Sequence, residues 1–315
     1  MHQFKKILVG VPSPGYDEDG QPIPDPPTSA AINQALDVAR VSGCELTLIT
    51  VVDPSSAGLS SDEQNGKFAE RILKEASDAL DAAVNGLDTD GVNLSTKVVE
   101  GQPWYEMCRA VLADNYDLVM AGTRNVAAIE RLMFGGTGRR LLRYCPCPVW
   151  IVKPREEEGE RNVLVASQLD DVAERALRIA VDGANLLDAQ VHVLHVLELD
   201  SARRLGLNAE EMDEYRTKVR SEREEQLYEQ LAQTDYRTTP CGVQVYINEG
   251  RPHTCILSTI GEHNVDLLII GTVGRGGLPG VLVGNTAEHL LSEIPCSIMA
   301  IKPADFECPV KLEDG

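Results

Sequence analysis

Positive charge is scarce in this chain. Its 29 Lys and Arg stand against 49 Asp and Glu, a formal net charge of −20, whereas nucleic-acid binding draws its affinity from clustered Lys and Arg. DNA and RNA are therefore not expected partners. Long apolar runs are missing too, since none approaches the ~18 residues of a membrane span, and no membrane partner is expected. The opening MHQFKKILVGVPSPG has an apolar run too short for a secretory signal and no small-residue cleavage site after it. It is expected to form a first strand, in a cytoplasmic protein.

The usual catalytic and metal-binding patterns are also absent. No GxSxG elbow occurs, and neither KKILVGVPSPG nor RNVLVASQLDD carries the GxGxxG of a dinucleotide fold. The six histidines do not gather at ligand spacing. His192 and His195, in VHVLHV, sit three apart on a strand and so face opposite sides; both read as core or edge residues, His195 lying near the strand end. His289 reads as a helix-face residue. The eight cysteines offer no paired CxxC set for zinc, and the lone CPC of Cys145 and Cys147 reads as core or loop thiols.

What is present is repetition. At 315 residues the chain has room for about two domains of ~150 residues. EGQPWYEMCRAVLADNYDLVMAGT (100–123) aligns without a gap on EGRPHTCILSTIGEHNVDLLIIGT (249–272). The register continues until Pro146, Cys147, Lys153 and Pro154 meet Pro295, Cys296, Lys302 and Pro303. Two copies of one domain are expected, 1–154 and 161–303, with the acidic REEEGER (155–161) as a solvated linker and 304–315 as a tail. The tail's FECPVKL has strand character and can extend an edge or pair with a second chain.

Each copy alternates short β-branched runs with helical patterns, the signature of βαβ units around a parallel sheet. Copy one offers the strands KKILVGV, ELTLITVV, LSTKVVE, DLVMAG and PVWIVK; copy two offers RNVLVAS, QVHVLHVLE, GVQVYIN, DLLIIG and CSIMAIK. The fold class is α/β, two tandem, doubly wound, parallel five-stranded sheets with right-handed crossovers. DLVMAG and DLLIIG are apolar throughout, as strands covered on both faces must be. NAEEMDEYRTKVRSEREEQLYEQLAQ (208–233) reads as an amphipathic surface helix. YDEDGQPIPDPPTS (16–29) reads as a loop, long for a βα connection and so a candidate lid.

The second copy carries GTVGRGGLPGVLVGNTAEHLL (271–291) between DLLIIG and CSIMAIK. In open α/β sheets ligands lie outside the carboxyl ends of the strands, where this segment begins. Gly271 closes the strand, Gly274 lets the chain turn, and Gly284 allows close backbone approach to a helix start capped by Asn285 or Thr286. Free N–H groups at such a start suit an anion, though a glycine turn with a capped helix and no ligand fits the same spacing. Arg275 and no Lys stands in the segment, so it is not a Walker site.

Gly271-TV-Gly274, nine residues, then Gly284-Asn285 resembles the G-2x-G-9x-G-[ST] phosphate signature of ATP-binding universal stress proteins. The resemblance covers the whole chain, twice. The tandem length and the IKPADFECPVKLEDG tail are similar to the two-domain, UspE-type members. It implies an adenine nucleotide alpha hydrolase-like fold and ATP, with Mg, held by Gly271, Val273, Gly274, Arg275, Gly284, Asn285 and Thr286. It also implies pairing of PVWIVK with CSIMAIK, an intrachain pseudo-dimer, with a homodimer as a further assembly.

The departures from that pattern matter. Family members place an Asp at the end of the first strand, toward adenine or ribose; here Gln168 stands there, with Asp170 two residues on, and copy one has Pro12. Asn285 replaces the hydroxyl residue. Copy one has Asn125 for the second glycine and bulky Leu132, Met133 and Phe134 in its turn, so its pocket is expected to be degenerate, with Arg124 as a residual anion contact. Two functions follow: an ATP-binding stress regulator with hydrolysis at most slow and no catalytic residues assigned, or an adaptor module taking an apolar or anionic metabolite.

Overall fold

A computed structural model describes residues 4–12, 15–16, 22–53, 66–123, 135–155, 159–199, 206–272, 290 and 293–312. The chain divides into two units, Met1–Glu156 with Phe306–Gly315, and Glu157–Asp305. The C-terminal segment thus belongs with the first unit.

The first unit runs β1 (Lys6–Gly10), β2 (Gly15–Tyr16), β3 (Pro22–Ile23), α1 (Pro26–Ser42), β4 (Glu45–Val52), α2 (Gly66–Asn85), β5 (Asn93–Glu100), α3 (Pro103–Asp114), β6 (Leu118–Gly122), α4 (Gly136–Tyr144) and β7 (Val149–Val152). Its sheet has the order β5-β4-β1-β6-β7, with every neighbour parallel. β1 lies in the middle, and Ile7, Leu8 and Val9 are fully buried, as a strand covered on both faces requires. β5 has no buried residue, only exposed and half-buried ones.

α1 begins inside the stretch expected as a loop at 16–29. Pro26 and Pro27 occupy its first positions, and the Asp25 side chain accepts the Thr28 N–H at 2.9 Å. Proline lacks the N–H that a first turn leaves unpaired, and its fixed φ suits the helix, so this Pro-rich stretch starts a helix where composition suggested a loop. Ahead of it, β2 and β3 form a two-residue antiparallel ladder.

The second unit repeats the pattern with β8 (Arg161–Ser167), α5 (Asp171–Leu187), β9 (Ala189–Leu197), α6 (Ala209–Leu231), β10 (Val243–Glu249), α7 (Pro252–Glu262), β11 (Leu267–Gly271) and β12 (Ser297–Ile301). Its order is β10-β9-β8-β11-β12, again all parallel. Arg161, shared by the expected linker and the expected strand RNVLVAS, opens β8. α6 is the charged helix read at 208–233; Asn208 and Glu211 form a capping box at its start, and it buries only Leu227 and Leu231. The helix expected at GNTAEHLL lies outside the described residues apart from Leu290.

Candidate functional site

β11 ends at Gly271, where packing leaves little room for a side chain. A Cβ on Gly271 would lie 3.0 Å from Val172 Cγ1, in the first turn of α5. The equivalent Gly122 in the first unit is tighter: its Cβ would meet the Pro27 carbonyl C and O at 2.5 Å and Thr28 N at 2.8 Å. In both copies the first helix starts against the end of the fourth strand. In copy one it does so backbone to backbone, across the carboxyl end where a ligand would enter.

Thr272 follows Gly271 and is buried. Its N–H donates to the Ile301 carbonyl at 3.1 Å, its Oγ1 donates to the same oxygen at 3.3 Å, and that Oγ1 accepts from Lys302 Nζ at 2.9 Å. Lys302 is 1% exposed. An ammonium taken out of water is costly unless hydrogen bonds replace its hydration, so this one is a built feature of the site. It sits where the glycine segment leaves the sheet. Sequence reasoning missed Lys302; the available signal was the shared lysine of IVKP and AIKP in the two copies.

On the other side of β11, β8 runs into a tight turn. Ser167 Oγ accepts the Leu169 N–H at 3.1 Å, Leu169 takes the left-handed conformation at φ 62, and the Asp170 side chain accepts the Ala173 N–H at 2.8 Å. Asp170 is therefore the cap of α5, and its carboxylate is engaged there. His195 is buried, with Nδ1 2.9 Å from the Ser167 carbonyl, which makes Nδ1 the protonated nitrogen. Gln168 is half-buried and lines an open depression of about 550 Å³ whose other wall is Arg223, Gln226 and Gln230 of α6. Gly271 is not part of that depression.

The structure thus joins Gly271 to α5 and Gln168 to α6. Val273, Gly274, Arg275, Gly284, Asn285, Thr286 and His289 lie outside the described residues, as do Arg124, Asn125 and Leu132, Met133 and Phe134 in copy one. Gly135 caps α4 without a side-chain bond. No group of three or more His, Cys, Asp or Glu among the described residues could hold a metal ion, and no described helix is long and apolar enough to cross a membrane.

His192 is a core residue, as expected. Its Nε2 lies 3.0 Å from Asn162 Oδ1 and its Nδ1 3.2 Å from the Tyr246 hydroxyl, and it stacks on His263 at 4.6 Å. Burial, then the neighbouring His263, lowers its pKa from 6.5 to about 4.

Two five-stranded parallel α/β domains in one chain, each with its fourth strand closed by glycine against the first helix, define a tandem α/β protein with its candidate site at the carboxyl ends of the strands. The universal stress protein family model matches residues 3–153 and again 160–302. The chain belongs to that family, in its tandem, UspE type. Universal stress protein E of Photorhabdus laumondii is 30% identical over 232 residues, which cover 70% of this chain and 73% of that protein. Its counterpart in Escherichia coli K12 is 28% identical over 236 residues, covering 71% and 73%. The crystal structure of a universal stress protein from Archaeoglobus fulgidus superposes with a TM-score of 0.57 at 21% identity, covering 94% of this chain and 98% of that one, a likeness of fold.

Proposed function

We propose that the second copy binds an adenine nucleotide, ATP with magnesium, and that the protein serves as a nucleotide-responsive regulator of a stress response. The observation that carries the reading is the buried Lys302 ammonium, bonded to Thr272 at the foot of the glycine segment. In a chain of net charge −20, a desolvated cation at the carboxyl ends of the strands marks a place where an anion is favoured. Gly271 fits a cradle in which any larger residue would press on α5.

In this reading the main chain of Gly271, Val273, Gly274, Gly284 and Asn285 holds the phosphates, with Arg275 and Thr286 as side-chain contacts and Gln168 toward the base and ribose. Magnesium would be held by the phosphates. Hydrolysis is slow at most, because Asp170, the acid next to the end of β8, is committed to capping α5. The nucleotide site of the first copy is degenerate, with Asn125 in place of the second glycine and bulky Leu132, Met133 and Phe134 in the corresponding turn of the sequence. The protein acts in the cytoplasm.

Isothermal titration with ATP and ADP tests the site. Binding by the wild type that is lost in Gly284→Asp supports it. The second reading, an adaptor that takes an apolar or anionic metabolite, is favoured by Gln168, which lines a depression with α6 and not with Gly271. It is supported if neither nucleotide binds the wild type and none is released when the purified protein is denatured.

A further inference from the structure

In a chain so short of positive charge, one helix of the first unit gathers it. α4 (GTGRRLLRY, 136–144) carries Arg139, Arg140 and Arg143 and no acid, whereas the aligned NTAEHLLSE (285–293) of the second copy carries two glutamates and no Lys or Arg. The three arginines are exposed, while Leu141 and Leu142 between them are buried. Trp104, in the first turn of α3, lies against this helix. Its Nε1 donates to Gln102 Oε1 at 3.3 Å, its ring meets that of Tyr105 edge-on at 5.7 Å, and the Tyr144 ring of α4 is 5.2 Å away. Arg140 Cζ stands 5.7 Å from the centre of the Trp104 ring, and Arg143 Cζ 5.6 Å from that of Tyr144.

We propose that this face of α3 and α4, three arginines around Trp104 and Tyr144, is a docking surface for an acidic segment of a partner protein. A guanidinium set over an aromatic ring spends its face there and keeps its edge N–H donors for a carboxylate, which they match as a fork. Because the rings fix where it sits, less side-chain freedom is lost on binding. No carboxylate already takes these donors: the ion pairs among the described residues include none to Arg139, Arg140 or Arg143, although Arg109 of neighbouring α3 pairs with Glu106. Packing of the repeat does not ask for the aromatic pair either. The second copy has His253 and Glu293 at the positions of Trp104 and Tyr144, 3.2 Å apart.

Charge complementarity selects the occupant. Three arginines on one nine-residue helix are too few to follow a nucleic-acid backbone, and a chain of net charge −20 repels a long polyphosphate from the rest of its surface. A short run of Asp and Glu needs only the small positive field of this helix. Its carboxylates reach the guanidinium edges, and the half-buried Trp104 offers an apolar anchor beside them. Arginine and tryptophan are the residue types that carry most binding energy at protein interfaces.

The test uses the full-length protein and a fluorescein-labelled dodecaglutamate peptide, read by anisotropy. The wild type is expected to bind it at low salt and to lose about tenfold in affinity when salt rises from about 50 to about 300 mM. Unlabelled peptide should also shift the tryptophan emission, because Trp104 lies in the face and the other tryptophan, Trp150, is buried. Arg140→Gln combined with Arg143→Gln is expected to bind about tenfold more weakly, and Trp104→His, the residue of the second copy, about threefold more weakly. Arg71→Gln combined with Lys218→Gln removes the same charge from exposed positions elsewhere and should bind as the wild type does. The wild-type readouts stand even if a variant misfolds. No binding by the wild type, an equal loss in the charge-matched variant, or tighter binding of dodecathymidylate than of the peptide overturns the proposal. So does self-association that the arginine variant abolishes, which would give the face to a second copy of the chain.

Discussion

The Asp266 carboxylate accepts the backbone N–H of Asn162 at 2.8 Å, joining the start of β11 to the start of β8. Copy one repeats the device, where Asp117 accepts the N–H groups of Lys5 at 2.7 Å and Lys6 at 3.1 Å. Charge-assisted bonds of this kind contribute more than neutral ones. Asp266→Ala is expected to lower the stability of the second domain by about 2 kcal/mol, and Asp266→Asn by less. Urea unfolding with an unchanged slope would register it; an unshifted midpoint for Asp266→Ala would contradict it.

The two strand-closing glycines should respond unequally to the same methyl group. At Gly122 the new Cβ meets the Pro27 backbone, which cannot turn aside, and at Gly271 it meets one methyl of Val172, which can shift. Gly122→Ala is expected to cost about 3 kcal/mol and Gly271→Ala about 1 kcal/mol. Thermal unfolding of the two variants gives the order, and a larger loss for Gly271→Ala would refute it.

Acid should weaken the second domain through His192. Its folded pKa is about 4 against an unfolded 6.5, so between these values the unfolded chain binds more protons and stability falls as pH falls. About 2 kcal/mol should be lost from this residue between pH 7 and pH 5. Urea midpoints at the two pH values measure it, and His192→Gln should flatten the difference; an equally steep fall in that variant would assign the effect elsewhere.

Lys302 separates a ligand role from a packing role. Lys302→Met keeps the length of the side chain and removes its charge. If the ammonium assists a bound triphosphate, ATP affinity should drop about tenfold, near 1.4 kcal/mol, while the unfolding midpoint holds or rises because a buried charge has been replaced by an apolar group. Unchanged ATP affinity in a well-folded variant would remove Lys302 from the site.

Much of the architecture was legible in residue order because its signals are local. An apolar run such as DLLIIG needs cover on both faces, and Leu267, Leu268, Ile269 and Ile270 of β11 are all buried, whichever face each points to. Where reading by composition failed, a local rule still operated: PDPPTS looked like loop, yet Asp25 caps and Pro26 and Pro27 begin α1. For the site, the glycine spacing marked Gly271 but attributed it to a ligand, whereas the geometry first assigns it to contact with Val172.

By itself, then, the sequence determined two copies of a five-stranded parallel α/β domain, since hydrophobic periodicity, capping residues and an ungapped repeat act over a few residues at a time. Only the tertiary structure decided that Lys302 is a buried cation beneath Thr272 and that Asp170 is spent on a helix cap. Each of those depends on which distant segments share one small, dry volume. That is settled by the packing of whole elements, and no spacing along the chain encodes it.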